Sequence, residues 1–343
     1  MRHRYWSNGA VAALGFLIVV SLLVLPVLSS AQDTTLVAKK VAAGPALDGK
    51  PDPAWQQATP LTVKLSGGKN LPGGATEVSL RALYDAEKVY FLAQWKVPAK
   101  GERRAPFQKQ ADGTWKQLKD PSDKGGDDNV YYEDKLALIW AIKAPTFEKS
   151  GCFAGCHLGE TKAFGNKYLP AGETGDIWHW KSIRTGSVNQ IDDQYLDDTK
   201  YDKEKAPEAG RKSDPKTGGG YADNKLVNGK PQWARKGNAP APPYFILDSE
   251  KETFDDSKYK AGDEVPGILV APFTGDRGDL PAMATFADGT WTLEWSRKLT
   301  TGSQYDVQFD DLKKKYAFGV AVFANAQVRH AYHPGARFLT FGE

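Results

Sequence analysis

The chain has 343 residues, 41% hydrophobic and 25% charged, which is ordinary for a folded globular protein and excludes a disordered or collagen-like chain. Its formal net charge of +3 is too small to argue for a nucleic-acid partner. Two cysteines in so long a chain exclude a disulfide-built scaffold.

The N-terminus reads as a targeting segment. Arg2 and Arg4 form a basic start, residues 10–28 are an almost unbroken apolar run, and Ser29, Ser30 and Ala31 supply small residues for cleavage. Residues 1–31 are therefore expected to be a signal peptide, or an uncleaved N-terminal anchor, since nineteen apolar residues suffice to span a bilayer. Either way the rest of the chain is expected in the periplasm, with a membrane contact only if the segment is retained.

After it, residues 32–343 are expected to form one domain. Leu47-Asp48-Gly49 and Pro51 to Trp55 pack turn formers around two apolar residues and predict an entry turn on a sheet edge. Residues 77–84 alternate apolar and polar, Asp85-Ala86-Glu87-Lys88 is a turn, and 89–95 is a second strand, so the pair predicts a hairpin. Residues 100–128 are polar and read as a loop, and 135–142 as a buried strand. Residues 150–243 lack strong periodicity, which marks a long functional or solvated insertion, with 197–236 as its most solvated part. Strands return at 267–270, 284–287, 290–295, 316–323 and 336–341, and Asp288-Gly289 is a hairpin turn. Short strands at hairpin spacing on both sides of one insertion predict an all-β fold, an antiparallel β-sandwich whose insertion wraps a cofactor at its front. The Leu47-Asp48-Gly49 opening and the 84–95 hairpin resemble those of family 9 carbohydrate-binding modules, which implies a sandwich of that kind.

The stretch Ser150-Gly151-Cys152-Phe153-Ala154-Gly155-Cys156-His157 carries the chemistry. Two thiols followed at once by histidine is the pattern of covalent haem attachment: the sulfurs add to two vinyl groups and the next residue lies under the iron. The usual spacing has two residues between the cysteines; here there are three, and the small Ala154 and Gly155 give room for the extra one. The expectation is one covalent haem c on Cys152 and Cys156 with His157 on the iron. A Cys152–Cys156 disulfide, or a zinc site on Cys152, Cys156, His157 and a fourth ligand, are the alternatives.

For the distal iron ligand the chain offers His333, then His330 and, as a weaker alternative, His179, which lies between Trp178 and Trp180. Those two indoles are expected to pack on the porphyrin.

These motifs together resemble the haem-binding subunits related to the gamma subunit of ethylbenzene dehydrogenase, among them those of dimethylsulfide dehydrogenase, selenate and chlorate reductases and nitrite oxidoreductases. The resemblance runs from about Leu47 to Phe341. Its carriers are the Leu47-Asp48-Gly49 opening, the 84–95 hairpin, Glu133 to Leu136, the Cys152–His157 cluster, Asp176 to Lys181 with Arg184, and Asp288 to Trp291. It implies a β-sandwich that holds haem at one end and exchanges single electrons with a molybdenum catalytic subunit and an iron–sulfur subunit. Several relatives hold haem b through Met and Lys. Here His157 stands where that Met is expected, and His330, His333 and Arg337 lie where the Lys is expected; arginine stays protonated and does not ligate iron. The sequence thus predicts an electron-transfer cytochrome that is not itself catalytic. An exported carbohydrate- or ligand-binding module and a five-coordinate haem sensor or enzyme are the competing readings.

Overall fold

Among the described residues thirteen strands form one large sheet that doubles over on itself. The computed structural model describes residues 34–122, 130–157 and 167–343, so the expected signal segment lies outside the described residues. Taken in chain order the strands are β1 (Thr35–Lys40), β2 (Leu61–Leu65), β3 (Thr76–Tyr84), β4 (Lys88–Lys96), β5 (Lys135–Lys143), β6 (Thr174–Lys181) and β7 (Asp192–Leu196). They continue with β8 (Arg211–Ser213), β9 (Ala282–Ala287), β10 (Thr290–Lys298), β11 (Tyr316–Phe323), β12 (Ala331–Tyr332) and β13 (Arg337–Gly342). The hydrogen-bonded order is β8-β7-β6-β5-β11-β13-β1-β3-β4-β10-β9, with β2 beside β3 and β12 beside β11.

The two ends of this ribbon face each other as the layers of a sandwich. Phe91 of β4 meets Trp140 of β5 and Trp178 of β6 at ring-centroid distances of 5.8 and 5.5 Å, and Trp95 meets Trp180 at 5.7 Å. These side chains alternate with outward-facing neighbours along each strand, so one register buries a whole row of aromatics. Buried aromatics at this density dominate the apolar area removed from water. The expected all-β sandwich is the observed fold. Within the large sheet the described ladders are antiparallel except at β1, which pairs in parallel with both β13 and β3.

Local chemistry sets the predicted turns. Asp288 and Gly289 both take positive φ, 50° and 73°, as a two-residue hairpin between β9 and β10 requires. Asp85 Oδ1 accepts the amides of Glu87 and Lys88 at 2.9 and 2.8 Å, closing the β3–β4 turn. At the entry turn Glu294 Oε1 accepts the Trp55 indole N–H at 2.7 Å, and its Oε2 accepts the Gly49 amide at 2.7 Å.

Three expectations are corrected. The 150–243 stretch is not a continuous insertion: it supplies β6, β7 and β8. Its aromatic and acidic residues hid the alternation, because both faces of β6 are buried. Part of the 100–128 loop is a hairpin of Phe107–Lys109 and Trp115–Gln117, which pairs with Glu264–Val265. The 267–270 strand exists as Ile268–Thr274, but in a separate small sheet with Gly218–Asp223 and Ile246–Leu247. Among the described residues no helix is long and apolar enough to cross a membrane.

Candidate haem site

The helix α1 (Pro145–Gly155) follows β5 and lies against the outer face of the β5–β6–β11 layer. Gly151 interrupts it with φ of +68°, and a Cβ there would lie 2.3 Å from the Gly335 carbonyl carbon. Glycine is therefore what lets the chain pass this close to the segment before β13. Beyond it Cys152 starts a fresh turn: its carbonyl accepts the amides of Cys156 at 3.0 Å and of His157 at 3.1 Å. Three intervening residues on a helical turn place both cysteines on one side of it. The unusual spacing is thus absorbed by helix geometry.

That turn borders a cavity of about 330 Å³, within the size range of small-molecule pockets. Its floor is the outward-facing row of three strands: Ala137 and Ile139 of β5, Ile177 and His179 of β6, Gly319 and Ala321 of β11. Small residues there leave a flat apolar surface. At Gly319 a Cβ would stand 2.3 Å from Cys152 Sγ, so the absent side chain is what admits the thiol. Cys152, Cys156, His157, His330 and Tyr332 complete the inner wall. Arg104, Lys135, Arg184 and Arg211 also line it and give it a cationic rim. Arg184 is paired with the buried Glu133, and Lys135 Nζ donates to the Gln327 carbonyl at 2.8 Å and lies 3.9 Å from the Phe323 ring centroid.

His157 and His330 meet inside the cavity. Their Nε2 atoms are 3.2 Å apart. His330 Nδ1 is 2.7 Å from the Val328 carbonyl, which only accepts, so Nδ1 carries the hydrogen and Nε2 keeps its lone pair. The His157 ring stacks on Tyr332 at 3.9 Å and 5°. Burial lowers His157 to about 4 and His330 to about 3, so both imidazoles are neutral at pH 7. Burial likewise pushes the Cys156 thiol up to about 12 and the Cys152 thiol well above its ordinary value. Both cysteines are free thiols, not a disulfide.

The sequence-predicted residues divide cleanly. Cys152, Cys156, His157, His330 and His179 line the cavity, and His333 does not. His333 follows Tyr332 by one residue, so strand alternation turns it away from the face that His330 and Tyr332 share. Its Nε2 instead accepts from Arg337 Nη2 at 2.7 Å. His179 has Nδ1 3.3 Å from Gln194 Oε1, while its buried Nε2 has no partner. Trp178 and Trp180 belong to the sandwich core, on the opposite face of β6 from His179, and do not line the cavity. Tyr332 and Lys135 were missed by sequence reasoning. The His330–Tyr332 spacing of two was the available signal for the first.

The donor set fits a haem bound by thioethers and axial histidine. Two thiols lie on one turn beside a neutral imidazole, and a second imidazole lies across from it. Both imidazoles turn Nε2 toward one point in the cavity, so the two would be available to one metal centre. A tetrahedral zinc site fits poorly: among the described residues these sulfur and nitrogen atoms do not gather within 4.8 Å of one another.

A β-sandwich with a histidine- and cysteine-lined cavity on the outer face of one layer defines the class. The ethylbenzene dehydrogenase family model matches residues 52–335, and the chain belongs to that family. Among solved structures, the chain is similar to a family 9 carbohydrate-binding module from Caldicellulosiruptor kristjanssonii in complex with glucose. There the identity is 7%, coverage is 90% of this chain and 95% of that one, and the TM-score is 0.34. The same module in complex with cellotriose gives 8% identity, the same coverage and a TM-score of 0.33. Among curated proteins no match to the chain is found.

Proposed function

We propose that this protein is an exported, periplasmic c-type cytochrome of the ethylbenzene dehydrogenase family, which passes single electrons to or from a molybdenum–iron–sulfur oxidoreductase. The observation that carries this reading is the 3.2 Å approach of His157 and His330 Nε2 beside two free thiols on one helical turn. Bound there, haem supplies a one-electron Fe(III)/Fe(II) couple.

The chain's own residues do the rest. Cys152 and Cys156 would fix one edge of the group by thioether bonds, each thiol adding across a vinyl group. His157 and His330 present neutral Nε2 atoms, and the Val328 carbonyl holds the His330 tautomer that leaves its Nε2 free. The Ala137, Gly319 and Ala321 floor would give a flat apolar contact, and the cationic rim of Arg104, Lys135 and Arg211 would suit the acidic substituents of a porphyrin. With both His157 and His330 offered to it, a haem held here would supply one-electron chemistry and would keep no place for a substrate, which supports electron transfer over catalysis.

The test is the mass of protein matured in a host with haem-attachment machinery. The expected mass is that of the polypeptide plus one haem, retained through acid–acetone extraction and lost in a Cys152→Ala, Cys156→Ala double variant. An unmodified wild-type mass, or haem that extracts freely, overturns the covalent assignment.

A further inference from the structure

The face of β6 turned away from the cavity carries a second polar centre. Asp176 of β6 and Asp193 of β7 lie on that face, and Asp306 comes from the segment between β10 and β11. One ligand oxygen from each lies within 4.8 Å of the other two, and the residues are only 0%, 0% and 2% exposed. Each spends one oxygen on the protein. Asp176 Oδ2 accepts from Trp178 Nε1, Arg297 Nη1 and the Val307 amide at 3.0, 2.8 and 3.0 Å. Asp193 Oδ1 accepts the Gln194 amide at 3.1 Å, and Asp306 Oδ2 the Thr301 hydroxyl at 2.5 Å. The other oxygen of each is buried without a partner.

A fourth carboxylate points to the same place. Asp214, just past β8, is 3% exposed and its side chain meets that of Asp306. Neither of its oxygens has a conventional donor. Asp279 adds another unpartnered buried oxygen beside Asp193. The one ion pair to these aspartates among the described residues is Arg297–Asp176. Buried carboxylates in this number, against one guanidinium, do not stay ionised without further positive charge.

We propose that Asp176, Asp193, Asp214 and Asp306 bind a Ca2+ ion, with Asp279 at its edge. The donors are all hard oxygens with no nitrogen or sulfur among them, which suits Ca2+ and disfavours zinc or copper. Ca2+ takes 6–8 oxygens at about 2.3–2.6 Å, so oxygens around one ion lie at most about 5 Å apart, and the three aspartate oxygens fall inside that limit. Mg2+ needs a tighter octahedron and keeps its waters, which a buried cluster of full carboxylates does not favour. The ion ties β6, β7, the end of β8 and the 299–315 segment together. Because β6 also carries Ile177 and His179 on its other side, the ion braces the back of the cavity floor.

Elemental analysis and thermal melts of the full mature protein test this. After dialysis against EGTA and return to CaCl2 or MgCl2, the wild type is expected to hold about one calcium per chain. Its melting temperature should rise by several degrees with Ca2+ and much less with Mg2+. The Asp193→Asn, Asp214→Asn double variant relieves the repulsion and should fold, yet lose calcium and become insensitive to EGTA. Asp214→Asn alone should weaken Ca2+ binding at least tenfold. Wild-type protein that carries no calcium and melts identically with EGTA, Ca2+ or Mg2+ overturns the proposal, and means the carboxyls share protons instead.

Discussion

Gly319 of β11 lies so close to Cys152 that a methyl group on it would stand 2.3 Å from the sulfur, with Phe147 Cζ only 3.3 Å away on another side. The thiol is therefore held against the sheet by the lack of a side chain, and neither α1 nor β11 has slack to take one up. Gly319→Ala is expected to cost about 1–3 kcal/mol by overpacking. It should also lower the haem-to-protein ratio, because Cys152 must move. Thermal melts and pyridine-haemochrome assay of the same preparation check both; a variant with wild-type stability and haem content contradicts the packing argument.

The two C-terminal histidines should behave differently. His330 faces His157, whereas His333 accepts from Arg337 outside the cavity. His330→Ala should convert a six-coordinate, low-spin absorption spectrum to a five-coordinate, high-spin one. His333→Ala should leave the spectrum unchanged and cost at most about 1 kcal/mol, the worth of an ordinary hydrogen bond. The reverse pattern would exchange their roles.

How the sequence concealed that choice is instructive. Arg329 to His333 offers two imidazoles three residues apart in one loop, and sequence alone puts His333 ahead of His330 without a physical reason to separate them. Two residues of strand at Ala331–Tyr332 decide the matter, because alternation sends His330 and Tyr332 to one face and His333 elsewhere. The same rule separates His179 from its flanking indoles on β6. β3 and β10, which alternate apolar with polar residues, and the Asp288-Gly289 turn were legible because period and turn chemistry agree. β6 was not: nearly all its residues are buried, on one side by the core and on the other by the cavity and its rim. The cysteine–histidine cluster was legible as chemistry, but the helical turn that accommodates its spacing depends on contacts with β11 and the segment before β13, far away in sequence.

Glu294 joins the entry turn to β10 through three accepted bonds, from the Trp55 indole and from the Gly49 and Asp48 amides at 2.7, 2.7 and 3.2 Å. Glu294→Gln keeps one acceptor oxygen and turns an NH2 group toward donors. A loss of about 1–3 kcal/mol in urea unfolding is expected. The haem spectrum should not change, since Glu294 lies in the layer that does not line the cavity. A spectral change would mean that the entry turn and the haem site are coupled.

Glu133 should govern part of the acid sensitivity. It is fully buried, its Oε2 accepts the Ile183 and Arg184 amides, both at 3.0 Å, and its Oε1 pairs with the Arg184 guanidinium. Burial by itself would raise its carboxyl, but Arg184, Arg104 and Lys135 overcome that and hold it below its ordinary value of 4.5. The folded state therefore prefers the ionised form. The resulting stability is fully present above about pH 4.5 and is lost as pH falls below that, through the folded value. Glu133→Gln removes one partner of a buried pair and should cost on the order of 3–5 kcal/mol at pH 7. In urea titrations the gap between wild type and variant should then narrow steadily toward pH 3, as the wild-type carboxyl takes up its proton. A gap that stays constant over that range would show that Glu133 acts through packing and its backbone hydrogen bonds, with its charge contributing nothing.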